Sequence, residues 1–147
     1  MPNRIFRKLT VNDLSLLLNM EQDFRSNFIC EENARQFLSN PMNWLFACIQ
    51  DQRIIGFAYG YELHRLNNTG NMLYIHEVGI LEQYQRQGIG RQLLTGIQAL
   101  CKLTGICRFF LFTQKSNAAA CSLYESVGGK AAHDDDVMYF FQIRTES

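Results

Sequence analysis

The stretch best suited to chemistry is a glycine-containing turn, QRQGIGR, which spans residues 85–91 between an apolar run and an amphipathic run. Gly88 and Gly90 would let the chain turn tightly and would leave successive backbone N–H groups uncovered. Those donors would lie at the positive end of the following helix, so they suit an anion such as a pyrophosphate. Arg86 and Arg91 add positive charge. The alternative is an ordinary glycine-containing helix start.

Better-known phosphate motifs do not fit this turn. No Lys-Ser or Lys-Thr pair follows the glycines, as a Walker loop requires. Leu93 occupies the position of the third glycine in a dinucleotide-binding fingerprint. With fourteen Lys and Arg against fourteen Asp and Glu, the chain has no basic excess with which to displace counterions from a nucleic acid. The sequence therefore predicts neither a nucleotide-binding regulator nor a nucleic-acid-binding protein.

The elements around the turn predict a mixed α/β architecture. Apolar patterning indicates a strand at residues 5–9, helices at about 10–24 and 31–38, and a tight antiparallel hairpin of strands 44–50 and 54–61. The pattern then predicts a strand at 72–80, a helix at about 90–104, a strand at 109–113, a helix closed by a Gly-Gly pair at 128–129, and a last strand at 137–143. Alternating strands and helices after residue 70 imply parallel pairing there.

A second motif, N-x-x-A-x-x-L-Y-x-x-x-G, begins at Asn117 and ends at Gly128. Together with the Q-x-x-G-x-G turn at residues 85–90, it resembles the two acetyl-CoA signatures of the GNAT family of N-acetyltransferases, and the order of elements is also that family's order. The resemblance covers nearly the whole chain. It implies a GNAT fold with a mixed central sheet of about six or seven strands flanked by four helices, in a single domain over residues 1–147.

The resemblance implies acetyl-CoA as the cosubstrate, with its pyrophosphate held by backbone N–H groups at residues 87–91. Val78 and Ile80, where the family's sheet splays, would pair through their backbone with the pantetheine arm. The N–H of Val78 would polarise the thioester carbonyl, Gly79 would form a bulge, and Asn117 would contact the pantetheine or a bridging water. The implied cosubstrate-binding residues are Val78, Gly79, Ile80, Gln85, Arg86, Gln87, Gly88, Ile89, Gly90, Arg91, Asn117 and Tyr124.

The resemblance also implies two proton-transfer groups. Tyr124 matches the tyrosine that commonly protonates the departing CoA thiolate, and a phenol with a pKa near ~10 keeps its proton at neutral pH. Glu77 matches an acidic group that serves as a base or anchors a water relay. Its side chain should point to the face opposite that of Val78, because neighbours alternate along a strand. The alternative for Tyr124 is a core tyrosine, and the alternative for Glu77 is a structural carboxylate on a strand.

Acidic residues suggest the acceptor. Asp135 and Asp136 precede the last predicted strand, and the acidic pair at 31–32, with Glu21 and Asp23, would add to a pocket for a polycation. The alternative is that these carboxylates only solvate a turn and helix ends.

A narrower resemblance favours an aminoglycoside. Residues 74–80, 85–89 and 135–140 are similar to the core and ending of the type I aminoglycoside 3-N-acetyltransferases. Acidic residues at these places bind the drug's ammonium groups there and help deprotonate the attacking amine. The resemblance implies Asp135 and Asp136 as catalytic candidates, the 3-amino group as acceptor, and a role in antibiotic resistance. Gln85 replaces that group's first loop arginine, and an Asp-rich insertion precedes the last strand. Another small amine, a polyamine, a protein or peptide amine, and a non-catalytic acyl-CoA binder remain alternatives.

Composition bounds the remaining possibilities. A chain of 147 residues with 47% hydrophobic and 19% charged residues suits one compact domain. No run approaches the ~20 apolar residues that span a bilayer, so no membrane partner is expected. Five scattered cysteines without a C-x-x-C pair predict neither a disulfide framework nor a metal site. These thiols, with an N-terminus that lacks a signal-like apolar stretch, predict a cytoplasmic protein. Relatives that pair through their C-terminal strands imply a possible homodimer.

Overall fold

The computed structural model describes residues 3–24, 29–67 and 69–144, apart from the side chains at positions 21 and 22. The described residues form β1 (Ile5–Lys8), α1 (Leu14–Phe24), α2 (Glu31–Ser39), β2 (Asn43–Gln50), β3 (Arg53–Leu63), β4 (Met72–Ile80), α3 (Ile89–Thr104), β5 (Arg108–Leu111) and α4 (Ala118–Ser126). Short 3-10 turns lie at Val11–Asp13 and Glu82–Tyr84. The strands form one sheet in the order β1-β2-β3-β4-β5, in which only β4 and β5 run parallel. The predicted mixed α/β fold is confirmed.

The hairpin between β2 and β3 closes with a two-residue turn. Gln50 pairs with Arg53, and the two residues between them, Asp51 and Gln52, have φ angles of +53° and +62°. Left-handed conformations at both central positions match the right-handed twist of the flanking strands, which is why such turns connect tight hairpins. The predicted antiparallel hairpin is therefore confirmed.

Helices cover both faces of the sheet. On one face, Leu93 and Ile97 of α3 are fully buried against a cluster that includes Phe46 and Ile55. On the other face, α1 and α2 pack Leu17 and other apolar side chains against β2 and β3. The α3 face and the α1/α2 face are therefore distinct surfaces of one sheet, and the direction of each β4 side chain decides which it meets.

The last strand predicted at residues 137–143 is not formed. Its six large apolar side chains, from Val137 to Ile143, are 71–80% exposed, and residues 130–144 form no helix or strand. The alternation of this segment suits a strand, but a strand exists only where a neighbour accepts its ladder hydrogen bonds. The sheet therefore has five strands within the described residues, fewer than the six or seven predicted.

Within the described ranges, no helix is both long enough and apolar enough to cross a membrane.

Candidate active site

The glycine turn has the backbone of an anion site. Arg86 (φ +62°) and Gly88 (φ +80°) are both left-handed, and Gly88 caps α3 without a side-chain hydrogen bond. The first intrahelical bond runs from the N–H of Gln92 to the carbonyl of Gly88, so the N–H groups of the first turn have no partner within the helix. Arg86 and Arg91 are exposed beside them. This cluster of donors and positive charge can bind a phosphate or pyrophosphate.

Glutamine side chains hold the turn in place. The Gln85 amide donates to the carbonyl of Ile80 at 3.2 Å, and the Gln87 amide donates to the carbonyl of Gln83 at 3.2 Å. Arg4, at the other end of the chain, donates to the Gln87 side-chain oxygen. These side chains therefore shape the turn, and they leave its backbone N–H groups for a ligand. The contribution of Arg4 was missed, because nothing in the sequence links it to the turn.

The sheet opens beside the end of β4. Pairing between β4 and β5 is confined to the residues from Met72 to Ile75. Further along, the N–H of Leu81 donates to the carbonyl of Ile55 on β3 at 3.0 Å. Backbone groups alternate in direction along a strand, so those of Val78 and Ile80 point away from β3 towards the opening. An extended ligand can pair with this edge as a further strand would.

The bulge in β4 lies at His76, so the prediction that Gly79 forms it is wrong. Tyr59 pairs with Glu77, but the next residue, Gly60, pairs with Ile75, which leaves His76 as the extra residue. Gly60 makes this geometry possible, since a Cβ atom there would lie 1.8 Å from the carbonyl oxygen of Tyr74. The signal that could have located the bulge is therefore a glycine on the neighbouring strand.

The bulge decides which face Glu77 occupies. Leu73 and Ile75 point to the α3 face, so regular alternation would place Glu77 there as well. The extra residue reverses the order, and Glu77 instead lines a cavity on the α1/α2 face. Val78 packs in the α3-face cluster, so the predicted opposition of Glu77 and Val78 holds.

The cavity beside Glu77 is about 540 Å³ and lies between α1, α2 and the sheet. Leu17, Met20 and Phe24 of α1 line it on the helical side. Gly79 lines it on the sheet side, where a Cβ would lie 2.7 Å from the Phe57 ring. A cavity of this size suits a small molecule.

Four rings form one side of this cavity, and we call them the aromatic wall: Phe37, Phe57, Tyr59 and Tyr61. Tyr59 is central, with ring centroids 6.1 Å from Phe37, 6.3 Å from Phe57 and 6.3 Å from Tyr61. The pKa of Tyr59 is raised by burial and then by Glu77 and the neighbouring tyrosines, so its phenol stays neutral. Sequence reasoning missed this wall, because its members lie on two separate elements.

Tyr124 and Asn117 belong to α4, beside the glycine turn. Leu123 packs against the start of α3, where a Cβ on Gly90 would lie 2.9 Å from it. Tyr124 follows Leu123 and is half-buried, and burial, then Cys121, raises the pKa of its phenol. The Asn117 side-chain oxygen accepts from the N–H of Ala120 at 3.1 Å, so it caps α4. Leu123 therefore brings the second half of α4 to the start of α3, and neither Tyr124 nor Asn117 lines the cavity.

The predicted acidic residues do not gather at the cavity. Asp135 and Asp136 are exposed in the segment after α4, outside the cavity lining. Asp23 pairs with Arg53 at 3.2 Å. The acidic pair at 31–32 faces Arg35 on the same helix, and the side chain of Glu21 lies outside the described residues. Among the carboxylates that the structure describes, Glu77 is the one that lines the cavity.

Two known proteins are similar to this chain in sequence. A mycothiol acetyltransferase of Kocuria rhizophila is 29% identical over 134 residues, which is 89% of this chain and 44% of that protein. A ribosomal-protein alanine N-acetyltransferase of Escherichia coli (strain K12) is 39% identical over 54 residues, 37% of this chain and 36% of that protein. The matched part thus spans less than half the length of either relative.

Solved structures share the fold. An aminoglycoside acetyltransferase from an uncultured soil metagenomic sample, in complex with trehalose, superposes with a TM-score of 0.82 at 23% identity, covering 96% of this chain and 97% of that one. Aminoglycoside N-acetyltransferase AAC(6')-Iy in complex with CoA gives a TM-score of 0.76 at 15% identity, covering 97% and 96%. The family model described as "Acetyltransferase (GNAT) family" matches residues 12–129, most of the chain. This chain therefore belongs to the GNAT acetyltransferase family.

Proposed function

We propose that this protein is an N-acetyltransferase that moves the acetyl group of acetyl-CoA to a primary amine by direct attack. The observation that carries the proposal is the meeting of three features at the end of β4: the glycine turn, the unpaired backbone edge at Val78 and Ile80, and the cavity that holds Glu77. A turn that binds an anion, an edge that accepts an extended arm and a carboxylate that meets an amine are what this reaction needs. A CoA complex of a protein with the same fold supports the choice of cosubstrate.

The residues divide the chemistry among them. Glu77, directly or through a water, takes a proton from the acceptor's ammonium group, and the neutral amine attacks the thioester carbon. The N–H of Val78 donates to the carbonyl oxygen as that atom gains charge, and one well-placed donor of this kind contributes ~3 kcal/mol. A C–N bond forms and the C–S bond breaks. Tyr124, whose raised pKa keeps its proton in place at neutral pH, then protonates the leaving thiolate. The nitrogen, which keeps one extra proton after the attack, loses it to solvent as the amide forms, and the Tyr124 phenolate takes a proton back from solvent.

Two kinds of acceptor amine are considered under this proposal. The 3-amino group of an aminoglycoside, with a role in antibiotic resistance, is supported by the similarity of residues 74–80 and 135–140 to that group of enzymes, with Asp135 and Asp136 as further acidic groups. Aminoglycoside acetyltransferases among the similar folds, one of them AAC(6')-Iy, are compatible with it without fixing the amine. Another amine is supported by the two relatives, which are a mycothiol and an alanine acetyltransferase.

We also propose a single domain over residues 1–147 that forms a homodimer. The six exposed apolar side chains between residues 137 and 143, and the outer edge of β5, suit each other as strand and neighbour in a pair of chains. Light scattering at two protein concentrations tests this, and a mass of one chain at both would contradict it. Cytoplasmic location is supported by five free cysteines, of which Cys48 and Cys101 are buried with the pKa of each thiol raised to about 11.

The test of the proposed function is free-thiol release from acetyl-CoA with a panel of amines. Turnover that depends on the amine, with one acetyl group found on nitrogen for each thiol, is the expected result. Acetyl-CoA binding without turnover on any amine would leave a non-catalytic acyl-CoA binder as the better description.

A further inference from the structure

Resting on the proposed acetyltransferase function, we propose that the acceptor is an arylalkyl primary amine: one ammonium group, held by Glu77, on a short chain that ends in an aromatic ring held by the aromatic wall. The proposal specifies the class of amine that the cavity would bind. It also differs from the polycation that the acidic residues of the sequence suggest.

The lining of the cavity carries this inference. Among the described residues that line it, Glu77 is the one carboxylate, and the other side chains are apolar or aromatic apart from Asn33. The nearby Asp23 is already paired with Arg53 at 3.2 Å. Glu77 is itself exposed, so one ammonium group can meet it at the open side of the cavity. A second charge placed among the apolar lining residues would need a carboxylate of its own. A lining whose described part holds one carboxylate among apolar side chains matches an acceptor with one ammonium group.

The aromatic wall supplies the surface for the rest of the molecule. Phe37 makes edge-to-face contacts with Tyr59 and Tyr61, at 6.1 Å between centroids in each case. Phe57 lies 6.3 Å from Tyr59 and stacks on it at an interplanar angle of 24°. Rings in these arrangements present both faces and edges, which are the surfaces that a further aromatic ring contacts best. An aliphatic polyamine has no ring to place against this surface.

The two contacts are spaced for a short linker. Tyr59 pairs directly with Glu77 across β3 and β4, and both side chains lie on the cavity side. Directly opposite residues of an antiparallel pair have Cβ atoms about 5 Å apart. An ammonium group at Glu77 and a ring against Tyr59 or Tyr61 are therefore separated by two or three carbon atoms. The same ammonium group lies beside the ring of Tyr59, where a cation–π contact adds to its binding.

The experiment compares amines that differ in one property at a time. Phenylethylamine has one charge and a ring, butylamine has one charge and no ring, and spermidine and kanamycin have several charges. We expect kcat/KM for phenylethylamine to exceed that for butylamine at least ~10-fold, the ratio expected when the surface of a ring leaves water. Faster turnover of spermidine, kanamycin or a short peptide than of phenylethylamine would overturn the inference.

Two variants at Tyr61 and one distant control sharpen the test. Tyr61 is 37% exposed, so its replacement need not disturb the core. Tyr61→Ala should raise KM for phenylethylamine at least ~5-fold with little change in KM for acetyl-CoA, whereas Tyr61→Phe, which keeps the ring, should restore it. Leu103→Ala, at an exposed position near the end of α3, should match the parent protein. Equal KM values for phenylethylamine in all four proteins would contradict a role for the wall.

A binding measurement separates failure of this inference from failure of the proposed function. Calorimetry with phenylethylamine and with spermidine needs no turnover. Tighter binding of phenylethylamine that weakens in Tyr61→Ala supports the inference even if no thiol is released, in which case only the proposed transfer reaction fails. Thiol release with spermidine alone, and no binding of phenylethylamine, keeps the transfer reaction and rejects the arylalkyl acceptor.

Discussion

Gly60→Ala should damage both the stability of this protein and its acceptor site. A Cβ at position 60 would lie 1.8 Å from the carbonyl oxygen of Tyr74 and 2.9 Å from the Cα of Ile75, whereas ordinary contacts begin at 3.4 Å. The strands would have to part by about 1.6 Å at the bulge. That movement removes about two ladder hydrogen bonds, each ~1 kcal/mol net. It also adds strain of ~1–3 kcal/mol.

We therefore expect the free energy of unfolding to fall by roughly 3–5 kcal/mol, a large part of the ~5–15 kcal/mol of a typical domain. Urea denaturation followed by circular dichroism measures this change. Gly56→Ala is the matched control on the same strand, since its Cβ would meet only side-chain atoms, the nearest at 3.0 Å on Ile89. It should lose about 1 kcal/mol, the lower end of the usual cost of overpacking a core. Equal losses for the two variants would refute the role of Gly60 in allowing the bulge at His76.

The bulge also makes a functional prediction for the same variant. Amine kcat/KM should fall more than acetyl-CoA affinity does, because the bulge orients Glu77 and the glycine turn lies outside it. The assay is run at a temperature below the unfolding transition of Gly60→Ala, so that the variant is folded. A parallel loss of amine turnover and acetyl-CoA binding would indicate general unfolding instead.

Three further predictions concern single side chains. Tyr124→Phe should lower kcat at least ~10-fold with acetyl-CoA affinity unchanged, since only the phenolic proton is lost, and unchanged turnover would remove its role as acid. Glu77→Gln should lower amine kcat/KM and alter the alkaline rise of the pH–rate profile, whereas an unaltered profile would assign proton removal to water or to another carboxylate. Asp13→Asn should lower the free energy of unfolding by about 1–2 kcal/mol at neutral pH, because Arg7 donates to both carboxylate oxygens at 2.7 and 2.8 Å. Arg7 lowers the pKa of Asp13, so this stability is present above the unfolded-state value of about 3.9 and is lost as pH falls below it. A deficit that persists in strong acid would contradict the ion-pair explanation.

Much of the fold could be predicted because local signals act over short stretches. Gly105, with a φ of +78°, ends α3 where the sequence placed the stop, and Asn117 caps α4 where the second motif begins. The segment at 137–143 has an equally clear strand pattern but no neighbour. The alternation of apolar and polar residues shows which element a segment can form. Whether a strand pairs depends on the neighbouring strand, which can be distant in sequence.

In the candidate site too, features built from consecutive residues were predictable and features built from distant residues were not. The glycine turn was predictable because its donors belong to consecutive residues, and Gly88 takes a left-handed conformation that a tight turn can use. The aromatic wall was not, since Phe37 on α2 meets Tyr59 on β3 only after folding. The acidic run at 134–136 is also consecutive in sequence, but it is exposed and lies outside the cavity lining, which its sequence alone does not indicate.

The geometry of β4 would let one strand contact both acetyl-CoA and the acceptor amine of the proposed reaction. Backbone N–H and C=O groups lie in the plane of a sheet, whereas side chains stand perpendicular to it. The N–H of Val78 therefore points into the opening beside β5, and Glu77, one residue earlier, rises on the α1/α2 face. Under the proposed mechanism, a thioester carbonyl that accepts from Val78 would lie in the plane of the sheet. An amine held by Glu77 would then approach it from above, the direction from which a carbonyl carbon is attacked. Without the bulge at His76, Glu77 would face α3 instead of the cavity, so the proposed mechanism depends on the extra residue.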